Sequence, residues 1–110
     1  MKLIGAPFVL ALLMLPKTAT ADLSEDQMIL VDDLAERAAE ALHCSLPVDR
    51  EAFLSILYEG AGDQVEAFDD RFGFRFEYEL GQMQKWHPLP DDVFCEGAAR
   101  RLQERGYSGN

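Results

Sequence analysis

The chain has 110 residues, with 20 Asp and Glu against 10 Lys and Arg and a formal charge of −10. A chain of this length forms one domain, and such a small domain gains from a covalent cross-link. The negative charge disfavours nucleic acid and anionic membrane surfaces as partners, because binding to both depends on Lys and Arg. It is compatible with a cationic partner, and equally with a role in solubility alone.

The first 21 residues have the features of a cleavable export signal. Lys2 precedes a mainly apolar run, 3–15, and the Ala-Thr-Ala at 19–21 has the small-x-small pattern that signal peptidase accepts. The run is shorter than the roughly 20 apolar residues that cross a bilayer as a helix. Residue 22 is Asp rather than Cys, so the cleavage point offers no site for a lipid. We therefore expect an exported protein, periplasmic or secreted, with no membrane insertion after cleavage.

Cleavage would change the charge balance of the remaining chain. Residues 1–21 hold two of the ten Lys and Arg and none of the 20 Asp and Glu, so residues 22–110 carry a formal charge of −12. All but one of the basic residues that remain are Arg. The predicted organisation is a signal peptide, 1–21, followed by a single small acidic domain, 22–110.

The two cysteines, Cys44 and Cys95, both lie in the mature domain. Two cysteines allow a single intramolecular pairing, and an oxidising compartment favours it. The bridge would close a loop of about 50 residues, a contribution of about 4 kcal/mol in the chain-entropy model. The alternative is a redox or nucleophilic thiol with His43 as its base, but adjacent side chains rarely face each other and no Cys-x-x-Cys is present. We predict a structural disulfide.

Hydrophobic periodicity predicts helices along the mature domain. The first begins after Ser24, where Gln27 stands at the reciprocal position of a capping box, and it runs to about Leu42. The second begins near Asp49 and stops at Gly60. Both have apolar residues spaced three and four apart, the pattern of a helix with one buried side.

The segment after the second helix allows two interpretations. A third, short helix is predicted from a cap at Asp63 to Gly73. Residues 74–80 then alternate apolar and polar, as in a half-buried strand. Their apolar positions also fit helical spacing, and no second strand is available to pair with them. We favour a helix over 74–86; the strand alternative would leave a free edge for a partner.

The last predicted helix is capped by Asp91 or Asp92 and ends at Gly106. The disulfide would then join the end of the first helix to the first turn of the last. The predicted fold class is all-α: a small disulfide-stapled bundle of about four to five helices after a cleaved signal peptide.

Motifs for catalysis or metal binding are not found in the sequence. The two histidines, His43 and His87, lack the spacing of a metal site, and a zinc site would need reduced cysteines. The acidic pairs do not follow calcium-loop spacing. A Gly-x-Ser-x-Gly motif, a phosphate-binding loop and a haem attachment motif are also lacking. We therefore expect a non-enzymatic protein with no catalytic residue, no metal and no cofactor.

The one positive lead is a concentration of aromatic side chains between residues 68 and 86. In the simpler interpretation they form the core of a small domain. In the alternative, some engage a partner protein, with the proline-constrained segment 86–90 as part of the contact. The candidate partner-binding residues are Phe74, Phe76, Tyr78, Trp86 and Leu89.

These observations favour a small exported protein-interaction module. Narrower forms of this hypothesis are an inhibitor or immunity protein, whose negative surface steers it to a basic enzyme, and an accessory protein of an envelope complex. The expected partner is another protein, and for an inhibitor or immunity protein it would be a basic one. The sequence leaves the oligomeric state open.

In layout the chain resembles the HdeA-type periplasmic chaperones, with a signal peptide, a short helical mature chain and two cysteines about 50 residues apart. It departs from them around the first cysteine, where their Trp-Thr-Cys is replaced by His43-Cys44-Ser45. The resemblance implies an acid-stress chaperone as the alternative function. Protonation of the carboxylates would turn the charge from about −12 to about +10 near pH 2. Self-repulsion would then loosen the fold and expose its aromatic residues.

Overall fold

The computed structural model describes residues 22–109, so the predicted signal peptide, 1–21, lies outside the described residues. The described part is helical, without a strand, and its predicted all-α class is confirmed. It contains four helices: α1 Glu25–Cys44, α2 Arg50–Ala61, α3 Val65–Trp86 and α4 Asp92–Glu104.

The helices α1 and α4 are antiparallel neighbours. The disulfide joins Cys44, the last residue of α1, to Cys95 in the first turn of α4, with 5.6 Å between the two Cα atoms. At the other end, Arg105 follows α4 and pairs with Asp33 of α1 at 2.8 Å. The predicted disulfide and its position between these two helices are confirmed.

The helices α1 and α3 run parallel to each other along most of their length. Asp32 of α1 pairs with Arg71 of α3, and eleven residues further along α1 His43 contacts the carbonyl of His87, just past the end of α3. α2 returns the chain between them. The helices thus follow one another up, down, up and down in a four-helix bundle.

Gln27 fixes the start of α1 and the end of α2 together. Its backbone N–H donates to Ser24 Oγ at 3.1 Å, and its Oε1 accepts from the Ser24 backbone N–H at 2.9 Å. The predicted capping box is therefore confirmed. The same side chain donates through Nε2 to the carbonyls of Gly60 and Ala61, the last two residues of α2. Gly60 lets the side chain of Leu30 lie close to this helix end, because a Cβ there would overlap that side chain unless Leu30 shifted.

The predicted break in the third helical segment is wrong. α3 is one continuous helix of 22 residues that passes through Gly73, and the favoured helix over 74–86 is its second half. A glycine inside a helix costs about 1 kcal/mol relative to alanine. Phe68 and Phe72 before Gly73 pack against the core, and Met83 after it is buried, so burial along one side of the helix outweighs this local cost.

The cap predicted for this segment is also wrong. Gln64, not Asp63, stands at the N-cap of α3, and no side chain bonds to the free backbone N–H groups of the first turn. The backbone N–H of Gln64 instead donates to the carbonyl of Ala61 at the end of α2. The short turn therefore places the helix start one residue later than the capping pattern indicates.

The other predicted helix ends agree closely with the structure. α2 has Asp49 as its N-cap and α4 has Asp91, whose Oδ1 accepts from the backbone N–H of Phe94 at 2.7 Å. That hydrogen bond holds the pKa of the Asp91 carboxyl below its ordinary value, with His87 adding to the effect. The chain leaves the end of α4 through Gly106, which has a φ of 78°.

The core lies between α1 and the other three helices. Its fully buried large side chains are Phe68, Leu34, Leu102 and Val31. The C-terminal segment closes one end: Tyr107 is buried against Phe53, edge to face at 5.5 Å between ring centroids. Backbone hydrogen bonds from the N–H of Asp49 to Tyr107 and from the N–H of Gly109 to Pro47 hold this segment in place.

None of the helices described between residues 22 and 109 is both long and apolar enough to cross a membrane.

Candidate functional site

A network of ion pairs occupies the contact between α1 and α4. Arg37 is only 4% exposed, although it is charged, and it pairs with Asp33, Glu36 and Glu40 at 3.1, 3.0 and 2.9 Å. Glu40 is 2% exposed and also accepts from Arg101 of α4, with 2.7 Å between Oε2 and Nη2. Each buried charge thus has an opposite charge in direct contact, as burial requires.

A second group of ion pairs joins α1 to α3. Both oxygens of Asp32 accept from the guanidinium of Arg71 at 2.9 Å, in a two-pronged contact. The hydrogen bond from Arg71 holds the pKa of the Asp32 carboxyl below its ordinary value, and Arg75 contributes its positive charge. Arg75 also pairs with Glu79 at 2.9 Å within α3.

These ion pairs between and along the helices leave the rest of the chain strongly negative. Five arginines, the ones at positions 37, 71, 75, 101 and 105, pair with five carboxylates, at positions 32, 33, 36, 40 and 79. The network is therefore neutral. Within residues 22–109, the cations outside it are Arg50, Lys85 and Arg100, against 15 carboxylates. The whole formal charge of −12 is thus carried by groups outside the network.

The candidate partner-binding residues do not share one surface. Phe74 and Tyr78 are 75% and 53% exposed on the side of α3 that faces away from α1. Phe76 is half-buried and stacks on Phe72, with 6.1 Å between ring centroids. Trp86, three turns beyond Phe74 and about 18 Å from it along the axis, is exposed at the end of α3. Leu89 is exposed in the turn that follows.

Phe74 and Tyr78 belong to a continuous exposed stripe, which we name the outer face of α3. A helix turns by 100° per residue, which places positions three, four and seven apart on one side. Three carboxylates without an ion pair among the described residues lie on this stripe, together with one lysine. The outer face consists of Glu66, Asp70, Phe74, Glu77, Tyr78, Gly81 and Lys85, and all seven residues are exposed.

Trp86 instead borders a shallow groove of about 280 Å³ between α1, α3 and α4. Its indole N–H donates to Gln82 at 3.1 Å, and the ammonium of Lys85 lies 5.2 Å from the ring centroid. The groove is lined by Glu36, Glu40, Glu79, Gln82, Met83, Trp86, His87 and Phe94. Its three carboxylates already pair with arginines of the network, so the groove has little attraction for a further cation.

Both histidines of the chain lie beside the disulfide. His43 donates from Nε2 to the carbonyl of His87 at 2.8 Å, and the His87 ring stacks on Phe94 at 4.3 Å between centroids. His87 Nδ1 lies 3.2 Å from Asp91 Oδ2. With Cys44 bonded to Cys95, the alternative of a reactive thiol next to His43 does not hold. This cluster packs the end of the bundle, and no pattern in the sequence predicts it.

Comparison of the chain with protein-family models, curated proteins and solved structures found no significant match. Among the described residues, 22–109, no group of three or more His, Cys, Asp or Glu side chains could hold a metal ion. The outer face of α3 therefore stands as the candidate site on its own geometry. It combines exposed aromatic side chains with carboxylates that lack a counter-charge.

Proposed function

We propose that the protein is a small exported, non-enzymatic protein-interaction module whose partner is a basic protein. The observation that carries the proposal is the division of charge. Five arginines neutralise five carboxylates between the helices, so the groups outside this network carry all of the net negative charge. Such a surface raises the rate of association with a basic protein, and the effect falls as the salt concentration rises.

The exposed aromatic residues can supply binding energy that the negative charge alone does not. Tyr and Phe side chains that become buried at an interface contribute a large share of binding energy, whereas exposed charges mainly steer the approach. Phe74 and Tyr78 lie among unpaired carboxylates on the outer face of α3, so anchor and steering groups occur on one surface. An inhibitor or immunity protein and an accessory protein of an envelope complex both fit this description.

Affinity capture tests the proposal. The mature chain, 22–110, is immobilised in its oxidised form and exposed to the exported fraction of the native cells. A Cys44→Ser, Cys95→Ser chain has the same formal charge without the cross-link and serves as the control. We expect a basic protein bound in a fixed ratio to the oxidised chain, released by salt and poorly retained by the control. Capture of the same set of proteins by both chains, or of none by either, would contradict the proposal.

A second candidate, an acid-stress chaperone, is favoured by the buried network. Arg37 is neutralised by carboxylates alone, so their protonation would leave a buried guanidinium without a counter-charge and weaken the contact between α1 and α4. The opened chain would expose its aromatic core to clients. An aggregation assay with a client enzyme at pH 2–3 tests this: a chaperone suppresses client aggregation, and a chain that aggregates itself is not one.

A further inference from the structure

Gly73 and Gly81 lie on the exposed side of α3, where nothing in the chain requires a glycine. Apart from its chain neighbours and the backbone of α3 itself, a Cβ built on either residue would meet nothing within 4 Å. Neither residue has a positive φ, since the positive-φ glycines are Gly62 and Gly106. A glycine inside a helix is less stable than an alanine. Two such positions in one helix therefore lower its stability without a benefit inside the folded chain.

The position of Gly81 relates it to the exposed aromatic residues. It lies seven residues after Phe74, two turns along the same line of the outer face, with Tyr78 between them and slightly to one side. Gly73 lies at the edge of the same stripe, beside Glu77. A missing side chain lets the backbone of another element approach closely. The outer face thus has two projecting rings, Phe74 and Tyr78, followed by a notch at Gly81, where no side chain projects.

The surrounding charges determine what can occupy this face. Glu66, Asp70 and Glu77 have no ion-pair partner among the described residues, and Lys85 is the single cation on the stripe. A second copy of this chain would bring a formal charge of −12 against the same charge, and repulsion opposes that contact. A segment rich in Lys and Arg is favoured by the same argument.

The backbone of α3 determines the form of the occupant. Its N–H and C=O groups are bonded within the helix, so the face offers no free edge to which an extended peptide could add as a strand. Helices pack by placing side-chain ridges into grooves, and small residues at the contact shorten the distance between axes toward the lower end of the usual 8–10 Å. The face from Glu66 to Lys85 is about 28 Å long, enough for about five turns.

We propose that the outer face of α3 docks an amphipathic α-helix of a basic partner. The apolar side of that helix covers Phe74 and Tyr78, its backbone approaches α3 at Gly81, and its Lys and Arg side chains lie beside Asp70 and Glu77. This inference rests on the proposed function and deepens it, because it assigns the surface and the form of the partner's contact.

A synthetic peptide serves as the probe. It has about 18 residues, one Leu and Ala face and Lys at the remaining positions. A scrambled peptide of the same composition, with no apolar face, is its control. Binding of each peptide to the oxidised chain 22–110 is measured by titration calorimetry at low and moderate salt. We expect the amphipathic peptide to bind at least about tenfold more tightly than the scrambled one.

Two tyrosines provide matched variants for this measurement. Tyr78 and Tyr58 are similarly exposed, at 53% and 58%, but Tyr58 lies on α2. We expect Tyr78→Ala to weaken binding of the amphipathic peptide by about tenfold, the size of a hot-spot truncation. Tyr58→Ala should leave binding within about twofold of the unmodified chain.

Gly81→Ala separates docking from folding, because the two effects have opposite signs. The added methyl group should raise the thermal midpoint of the chain by about 4 °C, since helix propensity improves and no atom is in the way. The same methyl should weaken peptide binding by at least about fivefold. A variant that is more stable and binds less tightly is the signature of a notch used by a partner.

The remaining outcomes overturn the inference. Equal effects of the two tyrosine variants, or unchanged binding by Gly81→Ala, would remove the outer face of α3 as the docking surface. Equal binding of the scrambled peptide would contradict a docked helix and leave the basic partner of the proposed function standing. If the chain binds neither peptide at low salt, both the inference and the basic partner fail.

Discussion

Glu40 of α1 and Arg101 of α4 form an ion pair of 2.7 Å, and the carboxylate is almost completely shielded from water. The same carboxylate contacts Arg37 on its own helix. Buried ion pairs contribute little net stability, because removal of two charges from water offsets their attraction. Removal of one partner is nevertheless strongly destabilising, because the other charge then stays buried without an opposite charge beside it. The network therefore fixes how α4 lies on α1.

Glu40→Gln should lower the free energy of unfolding by about 3 kcal/mol or more, because it leaves Arg37 and Arg101 without their shared counter-charge. Glu36→Gln is the matched control. It removes a carboxylate from the same arginine, but the side chain of Glu36 is 41% exposed, so the expected loss is below about 1 kcal/mol. Urea denaturation of both variants measures the difference. Equal losses would show that burial of Glu40 has no special consequence.

Reduction of the disulfide should lower the free energy of unfolding by about 4 kcal/mol. The two cysteines are 51 residues apart, and opening a loop of this length increases the entropy of the unfolded chain. Parallel urea titrations of the oxidised chain and of a Cys44→Ala, Cys95→Ala chain measure this loss. A change of less than about 1 kcal/mol would mean that the bundle is held by its core alone.

The pairing of Asp32 with Arg71 should make stability depend on pH. The folded state holds the pKa of Asp32 below its ordinary value of 3.8, so the folded state favours the charged form. This contribution is complete above about pH 5 and is lost as the pH falls below 3.8 and through the folded value. Asp32→Asn should cost about 1 kcal/mol or less at pH 7, since the pair is partly exposed. The two chains should converge as the pH falls below 3.8, and a gap that stays unchanged in that range would contradict the assignment.

Gln27→Ala should lower the free energy of unfolding by about 1–2 kcal/mol. The change removes half of the capping box with Ser24 and both hydrogen bonds to the end of α2. Gln103→Ala, on the exposed side of α4, is the control and should change little. Thermal unfolding followed by circular dichroism distinguishes the two variants. A similar effect at both positions would indicate helix propensity rather than the link between α1 and α2.

Features that depend on near neighbours in the chain could be predicted from the sequence. The capping box of Ser24 and Gln27 and the caps at Asp49 and Asp91 need residues only three apart. The break expected at Gly73 was wrong for the opposite reason. Local propensity indicates a stop there, but contacts with α1 continue on both sides of the glycine, since Asp32 pairs with Arg71 before it and with Arg75 after it.

Features that depend on contacts between distant parts of the chain could not be predicted from the sequence. The pair of Glu40 and Arg101 spans 61 residues, and no pattern in either segment indicates it. The grouping of Phe76 with Phe74 and Tyr78 reflects the two-residue period of a strand. In a helix Phe76 lies about 160° from Phe74, which turns it inward onto Phe72. Two of the five candidate residues thus remain together on the outer face of α3.

The measurement that tests the central claim most directly is an NMR titration of the ¹⁵N-labelled, oxidised chain 22–110 with the amphipathic Lys peptide. If a basic helix docks on the outer face of α3, the largest amide shifts will fall between Glu66 and Lys85 and include Gly73 and Gly81. Shifts of similar size on α2 around Tyr58, or shifts confined to the groove around Trp86 and Phe94, would contradict the claim.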